Sequence, residues 1–377
     1  MRVVMFYHSL ASDWNHGNAH FLRGVATELL HRGHEVVVLE PAEGWSRTNL
    51  LREQGPEALE SYQSAYPALA GATYGPGLPD LGRVLAGADL VLVHEWNDPA
   101  LVRAVGEHRR RAGGYRLLFH DTHHRSVSAP ADMAAYDLRW YDGVLAFGEV
   151  IRQRYLDEGW AERVWTWHEA ADVRVFHPLA DVEPEDDLVW IGNWGDEERT
   201  AELEEFLIEP VEALRLHARV HGVRYPPAAL ERLARARIVY GGWLPNHAVP
   251  GVLARFRTTV HVPRRPYVHA LPGIPTIRVF EALACGIPLV SAPWDDAEGL
   301  FTPGADYLVA RNGAEMRRHL SDLLADEPAA RAVAARGRRA ILARHTCAHR
   351  VDELCAIVRS LGSSPAAGAT TTLDGAA

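Results

Sequence analysis

The stretch "LPGIPTIRVFEALACGIPLVSAPW", residues 271–294, brackets one helix with two Gly-Ile-Pro triplets. Pro275 suits a first helical residue, because it has no N–H to satisfy and its φ is already near the helical value. Thr276 to Ala284 then reads as a helix with Ile277, Phe280, Leu283 and Ala284 on one apolar face. Gly286 ends it, Pro288 blocks continuation, and Leu289 to Ala292 reads as a short buried strand. Such a helix start offers free N–H groups and the positive end of the helix dipole among small residues, which suits a phosphate or diphosphate. Glu281, further along the same helix, is placed to accept hydrogen bonds from a sugar hydroxyl at that mouth.

Outward from this stretch the chain alternates apolar runs with helical segments. In the first half, strands are predicted at Val3–Tyr7, Glu35–Leu39, Asp89–His94, Arg116–His120, Gly143–Phe147 and Val164–Trp167, with a helix over Ala19–Arg32. Residues 44–87 are less regular and read as an insertion. A second run places strands at Asp187–Ile191, Leu216–Val220, Ile238–Tyr240 and Thr259–Val262, and helices at Ala201–Leu214 and Ala228–Ala236. The pattern is that of an α/β protein with two Rossmann-like parallel-sheet domains across a cleft. Expected boundaries are 1–176 for the first domain, 177–186 for an acidic, Pro-containing linker, and 187–345 for the second domain. A C-terminal helix over 346–362 is read as returning toward the first domain, and 363–377, small and polar, as a disordered tail.

Composition narrows the function. The 377 residues carry a formal net charge of −10 and no basic stripe, which argues against a nucleic-acid partner. Three cysteines form neither a disulfide framework nor a metal spacing, so a cytoplasmic home is expected. No apolar run approaches the length of a membrane span. Peripheral membrane association stays open, although no basic amphipathic helix argues for it.

Residues just after strands are where such sheets hold ligands. After the first strand, Gly17 and Asn18 open a helix, without the GxGxxG of a nicotinamide or flavin site. Later strands lead into "HEWNDP" (His94, Glu95) and "HDTHH" (His120, Asp121, His123, His124). Three histidines in five residues raise the question of zinc, but the stretch follows a strand directly and is no HExxH on a helix. His120 reads instead as a hydrogen-bond donor or proton shuttle, with Glu95, Asp13 and His16 as alternative bases. In the second half, Gly192 and Asn193 end a strand and Arg199 opens a helix, where it can grip a diphosphate. Gly241, Gly242 and Trp243 end a later strand and are candidates for reading a nucleobase.

"IPTIRVFEALACGIPLVSA" (274–292), with "GNWGDEER" (192–199) before it and "HEAADVRVFHP" (168–178) as the interdomain segment, resembles the GT-B glycosyltransferases. Within that fold it looks closest to the CgeB-like, spore-maturation-protein-like branch near the retaining family-four enzymes. The likeness covers about residues 1 to 360, and 271–294 is its specific part. It implies a hexosyltransferase-type enzyme that moves a sugar from a nucleotide-diphosphate sugar to an acceptor hydroxyl, with no metal and no cofactor. By this resemblance Glu281 binds the ribose, and the backbone of Pro275, Thr276 and Ile277 holds the diphosphate. Asn193 and Arg199 lie beside the phosphates, Gly17 and Asn18 lie near donor or acceptor, and His120 faces the reacting sugar. One departure stands out: related enzymes carry an earlier glutamate that contacts the sugar, and here that position is Gly273, while Arg278 projects from the helix. A non-catalytic nucleotide- or partner-binding protein of this fold and a nucleotide-sugar 2-epimerase are the rival readings.

Overall fold

Short runs of Val, Leu, Ile and Phe, buried on both faces, form the central strands of two parallel sheets. The computed structural model describes residues 1–69, 71–195 and 197–362; the expected disordered tail at 363–377 lies outside the described residues. The first sheet holds β1 (Arg2–Phe6), β2 (Glu35–Pro41), β3 (Ala72–Tyr74), β4 (Leu90–His94), β5 (Arg116–Asp121), β6 (Gly143–Ala146) and β7 (Val164–Thr166), in the order β3-β2-β1-β4-β5-β6-β7. The second holds β8 (Asp186–Ile191), β9 (Ala218–His221), β10 (Val239–Tyr240), β11 (Phe256–His261), β12 (Leu289–Ser291) and β13 (Leu308–Val309), in the order β10-β9-β8-β11-β12-β13. These are two Rossmann-like domains with helices packed on their sheets, the GT-B architecture.

Three sequence expectations need correction here. Residues 44–87 are not an insertion: they carry the helices Trp45–Gln54 and Glu57–Ala65 and the edge strand β3, whose three residues pair with β2. So short and exposed a strand has no apolar run to announce it. The helix expected over 201–214 is interrupted by a π-helical stretch at Glu204–Ile208. Pro275 lies outside its helix, which runs Ile277–Cys285 with Thr276 as the N-cap.

Beyond β7 the chain passes to the second domain, and after the helix Glu327–Arg344 it returns. The passages touch: Ala171 N donates to His345 O at 2.9 Å, and Cys347 N donates to Ala171 O at 3.0 Å. The last helix, Cys347–Ser360, starts with a capping box between Thr346 and His349 and packs on the first helix, Ala19–His31. That packing requires Gly24, because a Cβ there would stand 2.5 Å from Cys347 Sγ. One buried apolar cluster therefore runs through both domains, from Phe21 and Val25 through Trp167 and Phe176 to Phe280, Val351 and Leu354.

Candidate active site

The strand order of each sheet reverses beside its first strand, between β1 and β4 and between β8 and β11, and such switch points are where open α/β sheets bind ligands. Residues that follow all four strands line one cavity of about 560 Å³. From the first domain come His16, Gly17 and Asn18 after β1, Trp96 after β4, and His123 and His124 after β5. From the second come Asn193 after β8, Arg264 after β11, and Thr276, Ile277 and Arg278 at the helix start.

The two walls meet at Gly17. A Cβ there would lie 3.2 Å from Ile277 Cγ2 and 3.6 Å from Arg278 Nη2, so the small residue lets the loop approach the helix start. The Thr276 hydroxyl is bonded to His261 Nε2 at 3.0 Å, and no side chain caps the helix. Its positive end is thus open to the cavity, where Arg199, Arg264 and Arg278 add cationic charge.

Each charge is held differently. Arg278 is ion-paired to Glu281, whose other oxygen takes a hydrogen bond from His20 Nδ1 at 3.1 Å. Asp172 N donates to His20 Nε2 at 2.8 Å, which fixes the tautomer with its proton on the Glu281 side. Burial pushes the Glu281 carboxyl up, but Arg278 and His20 outweigh it and hold it below its ordinary value. Arg264 is bonded to Glu198 at 2.8 Å. Arg199 donates to the carbonyls of Val262 at 2.8 Å and Asn193 at 2.5 Å, and lies over the Trp190 ring at 5.0 Å. Burial, with help from Arg264, pulls its pKa down to about 9. Its planar fork is occupied by the protein's own backbone, so it adds field to the site rather than the bidentate grip expected from the sequence.

Several expected residues do not reach the cavity. His120 is fully buried, edge-on to Trp167 at 4.8 Å between ring centroids, and neither ring nitrogen has a partner. Burial pulls its pKa down to about 3. The sheet is buried on both faces, and His120 packs against Phe21 and against His94, which stacks in turn on the cavity-lining His8, so His120 stands behind the lining. Glu95 is also buried; its carboxylate accepts from Thr122 N at 3.2 Å and lies 3.5 Å from Arg125. Asp13 is ion-paired to Arg23 at 2.8 Å and accepts from Trp243 Nε1 at 3.1 Å, which turns Trp243 away from the cavity. Gly242 is likewise absent from the lining, its carbonyl accepting from Gly222 N at 2.8 Å, and so is Pro275. Glu281 stands behind Arg278 rather than on the main surface. Of the catalytic candidates, His16 alone lines the cavity, with its Nε2 unpartnered and its pKa held well down by burial and by His8.

"HDTHH" comes apart as a ligand set. Asp121 accepts from Tyr155 OH at 3.0 Å, His120 lies in the core, and only His123 and His124 reach the cavity.

Of the lining residues that the sequence left unmarked, three bear on the chemistry. Arg264 lies three positions after the end of β11 and was open to the same strand-end rule as Asn193. Trp96, 43% exposed, stands beside Glu95 in "HEWNDP", with Arg125 over its ring at 4.6 Å. Glu169 lies in the passage between domains, 4% exposed, with Oε1 unpartnered.

Comparison with known proteins agrees with this geometry. Residues 199–356 match the model of a family described as glycosyl transferase-like, a span that begins at Arg199 and contains the helix Ile277–Cys285. A search of curated proteins finds no match. Among solved structures, HepE of Anabaena in complex with UDP and glucose superposes with a TM-score of 0.68 at 14% identity, covering 96% of this chain and 100% of that one. Sucrose-phosphate synthase of Thermosynechococcus elongatus gives 0.64 at 14% identity, covering 97% and 100%. An alpha-glucosyltransferase in complex with UDP gives 0.69 at 10% identity, covering 95% and 100%. At these identities the likeness establishes the GT-B fold. No helix among the described residues is long and apolar enough to cross a membrane.

Proposed function

We propose that the protein is a glycosyltransferase that moves a sugar from a nucleotide-diphosphate sugar to an acceptor hydroxyl. The observation that carries this reading is the uncapped start of helix Ile277–Cys285 opening, with Arg199, Arg224, Arg264 and Arg278, into a cavity between two switch points. As the glycosidic bond breaks, negative charge grows on the departing diphosphate. A fixed helix end and fixed cations meet that charge without reorganising. Two of the three structural neighbours are complexes with UDP, which makes a uridine nucleotide the first to test. A hexosyl group as the sugar, a place in the CgeB-like branch and a cytoplasmic location are the finer parts of the proposal, and they rest on the sequence resemblance.

In this arrangement Arg278 contacts the diphosphate, and Glu281 with His20 holds Arg278 in position. His16, kept neutral by burial, is the candidate to take the acceptor proton. Arg278→Met, which keeps the aliphatic stem, is expected to weaken UDP binding by about 1.5–3 kcal/mol, the range for hydrogen bonds to charged groups. Titration calorimetry checks this, and unchanged affinity in a folded variant would remove Arg278 from the site.

The cationic charge is already supplied by side chains, so turnover is expected to survive EDTA. Loss of activity on chelation, restored by added Mg²⁺ or Mn²⁺, would show that a divalent ion shares the diphosphate. Donor turnover without an acceptor would favour the epimerase reading, and tight nucleotide binding without any turnover the non-catalytic one.

A further inference from the structure

We propose that Glu169, on the passage between the domains, forms a sugar-reading subsite of the cavity, one that takes an uncharged, hydroxyl-bearing glycosyl group of the donor. This deepens the reading above and rests on it.

The carboxylates near the cavity differ in what they already hold. Glu281 is bound by Arg278 and His20, and Glu198 by Arg264. Glu298 pairs with His168 Nε2 at 3.0 Å and accepts from Glu149 N at 2.8 Å. Glu169 lines the cavity, is nine-tenths buried or more, and its side chain has no hydrogen-bond partner among the described residues. An unpaired buried carboxyl is costly, and a protein interior normally satisfies one. Its main chain is held in place: Arg350 Nε donates to Glu169 O at 3.4 Å, and the neighbouring His168 is fixed by Glu298 and by the Phe147 carbonyl at 3.1 Å.

Position 273 is closed to this task. Gly273 has φ +87°, donates its N–H to Asp295 O at 2.6 Å, and a Cβ there would stand 2.6 Å from Glu298 Cγ. A side chain at that point would strain the backbone and displace Glu298, so the carboxyl on the passage between domains is the one left to meet the ligand.

Burial, and then the charge of Glu281, push the Glu169 carboxyl well above the ordinary carboxylate range, with Arg278 opposing. That favours the protonated form, which donates one hydrogen bond and accepts others. A hydroxyl complements both roles. A uronate carboxylate would bring an uncompensated charge into this desolvated wall, so neutral sugars are the class selected.

Calorimetry on wild type with paired ligands (UDP and UDP-glucose, GDP and GDP-mannose, dTDP and dTDP-glucose) first selects the pair that binds. With that pair, Glu169→Leu is expected to weaken the nucleotide sugar at least tenfold and the free nucleoside diphosphate less than twofold. Glu169→Gln, which keeps a donor and an acceptor, is expected to stay within about threefold of wild type for both. Thermal stability of Glu169→Leu at or above wild type is expected as well, because the variant removes an unpartnered buried polar group. Equal effects on both ligands, or none, overturn the subsite. A lower melting temperature in both variants assigns Glu169 a structural role and overturns it too. A wild type that binds no pair overturns the nucleotide-sugar reading itself, and the subsite with it.

Discussion

Asp13→Ala is expected to destabilise the protein by about 3–5 kcal/mol, the cost of breaking a buried ion pair from one side. Arg23 is fully buried, donates to Leu10 O at 2.9 Å and lies over the rings of Tyr62 and Tyr66 at 4.8 and 5.2 Å. Without Asp13 its charge stays in the core with only carbonyls and ring faces around it. The loss also crosses the domain boundary, since Asp13 accepts from Trp243 Nε1 and from Asn246 N at 2.9 Å. For domains of this size each kcal/mol shifts Tm by about 2–4 °C, so a fall of about 10 °C is expected by calorimetry. The double variant Asp13→Ala/Arg23→Met should recover part of it, because no unpaired charge remains. A single variant that melts within a degree of wild type would mean water reaches Arg23.

Acidification is expected to act on a similar scale. Burial lowers the pKa of twelve histidines, seven of them strongly: His8, His120, His261 and His345 to about 3, and His16, His94 and His123 well below the ordinary value. Each is neutral when folded and binds a proton once unfolded below the free histidine value of about 6.5. Their stabilisation is therefore fully present above pH 6.5 and is lost as pH falls toward 3, by up to about 1.4 kcal/mol per unit for each group. Glu95, Asp121, Glu169 and Asp296 act with the opposite sign in this window, because their folded pKa values are raised. Histidines outnumber them, so stability should drop by several kcal/mol between pH 6.5 and 5, a large part of the total for a typical domain. Melting curves across that range check it, and a flat Tm would show that water or rearrangement accommodates the added protons.

The helix Ile277–Cys285 was legible because Gly, Pro and an apolar stripe are local signals, each set by the backbone at its own position. The direction of His120 was not. A strand buried on both faces has no polar alternation, so nothing in "LLFHD" tells which side a strand-end histidine takes. Arg199 was placed correctly at a helix start, but its partner Val262 lies 63 positions away, beyond any local pattern. Glu169 escaped for a third reason: the passage between domains is neither helix nor strand, so no periodicity assigns its side chains a face. Asp13 looked like a candidate base because acidic residues after strands are candidates by rule. Only its contacts with Arg23 and Trp243 reveal a structural bond.

The pairing of Ala171 with the segment His345–Cys347 has a mechanical consequence. Two chain passages bonded side by side make a flat strap between the domains. A strap bends readily across its thin direction and resists bending within its plane, so it favours one axis on which the halves can swing apart. Glu169 sits two positions from that pivot, where leverage is smallest. As the far rims of the cleft spread, the carboxyl at the pivot keeps nearly the same place, and an arriving donor meets its sugar-reading group already set.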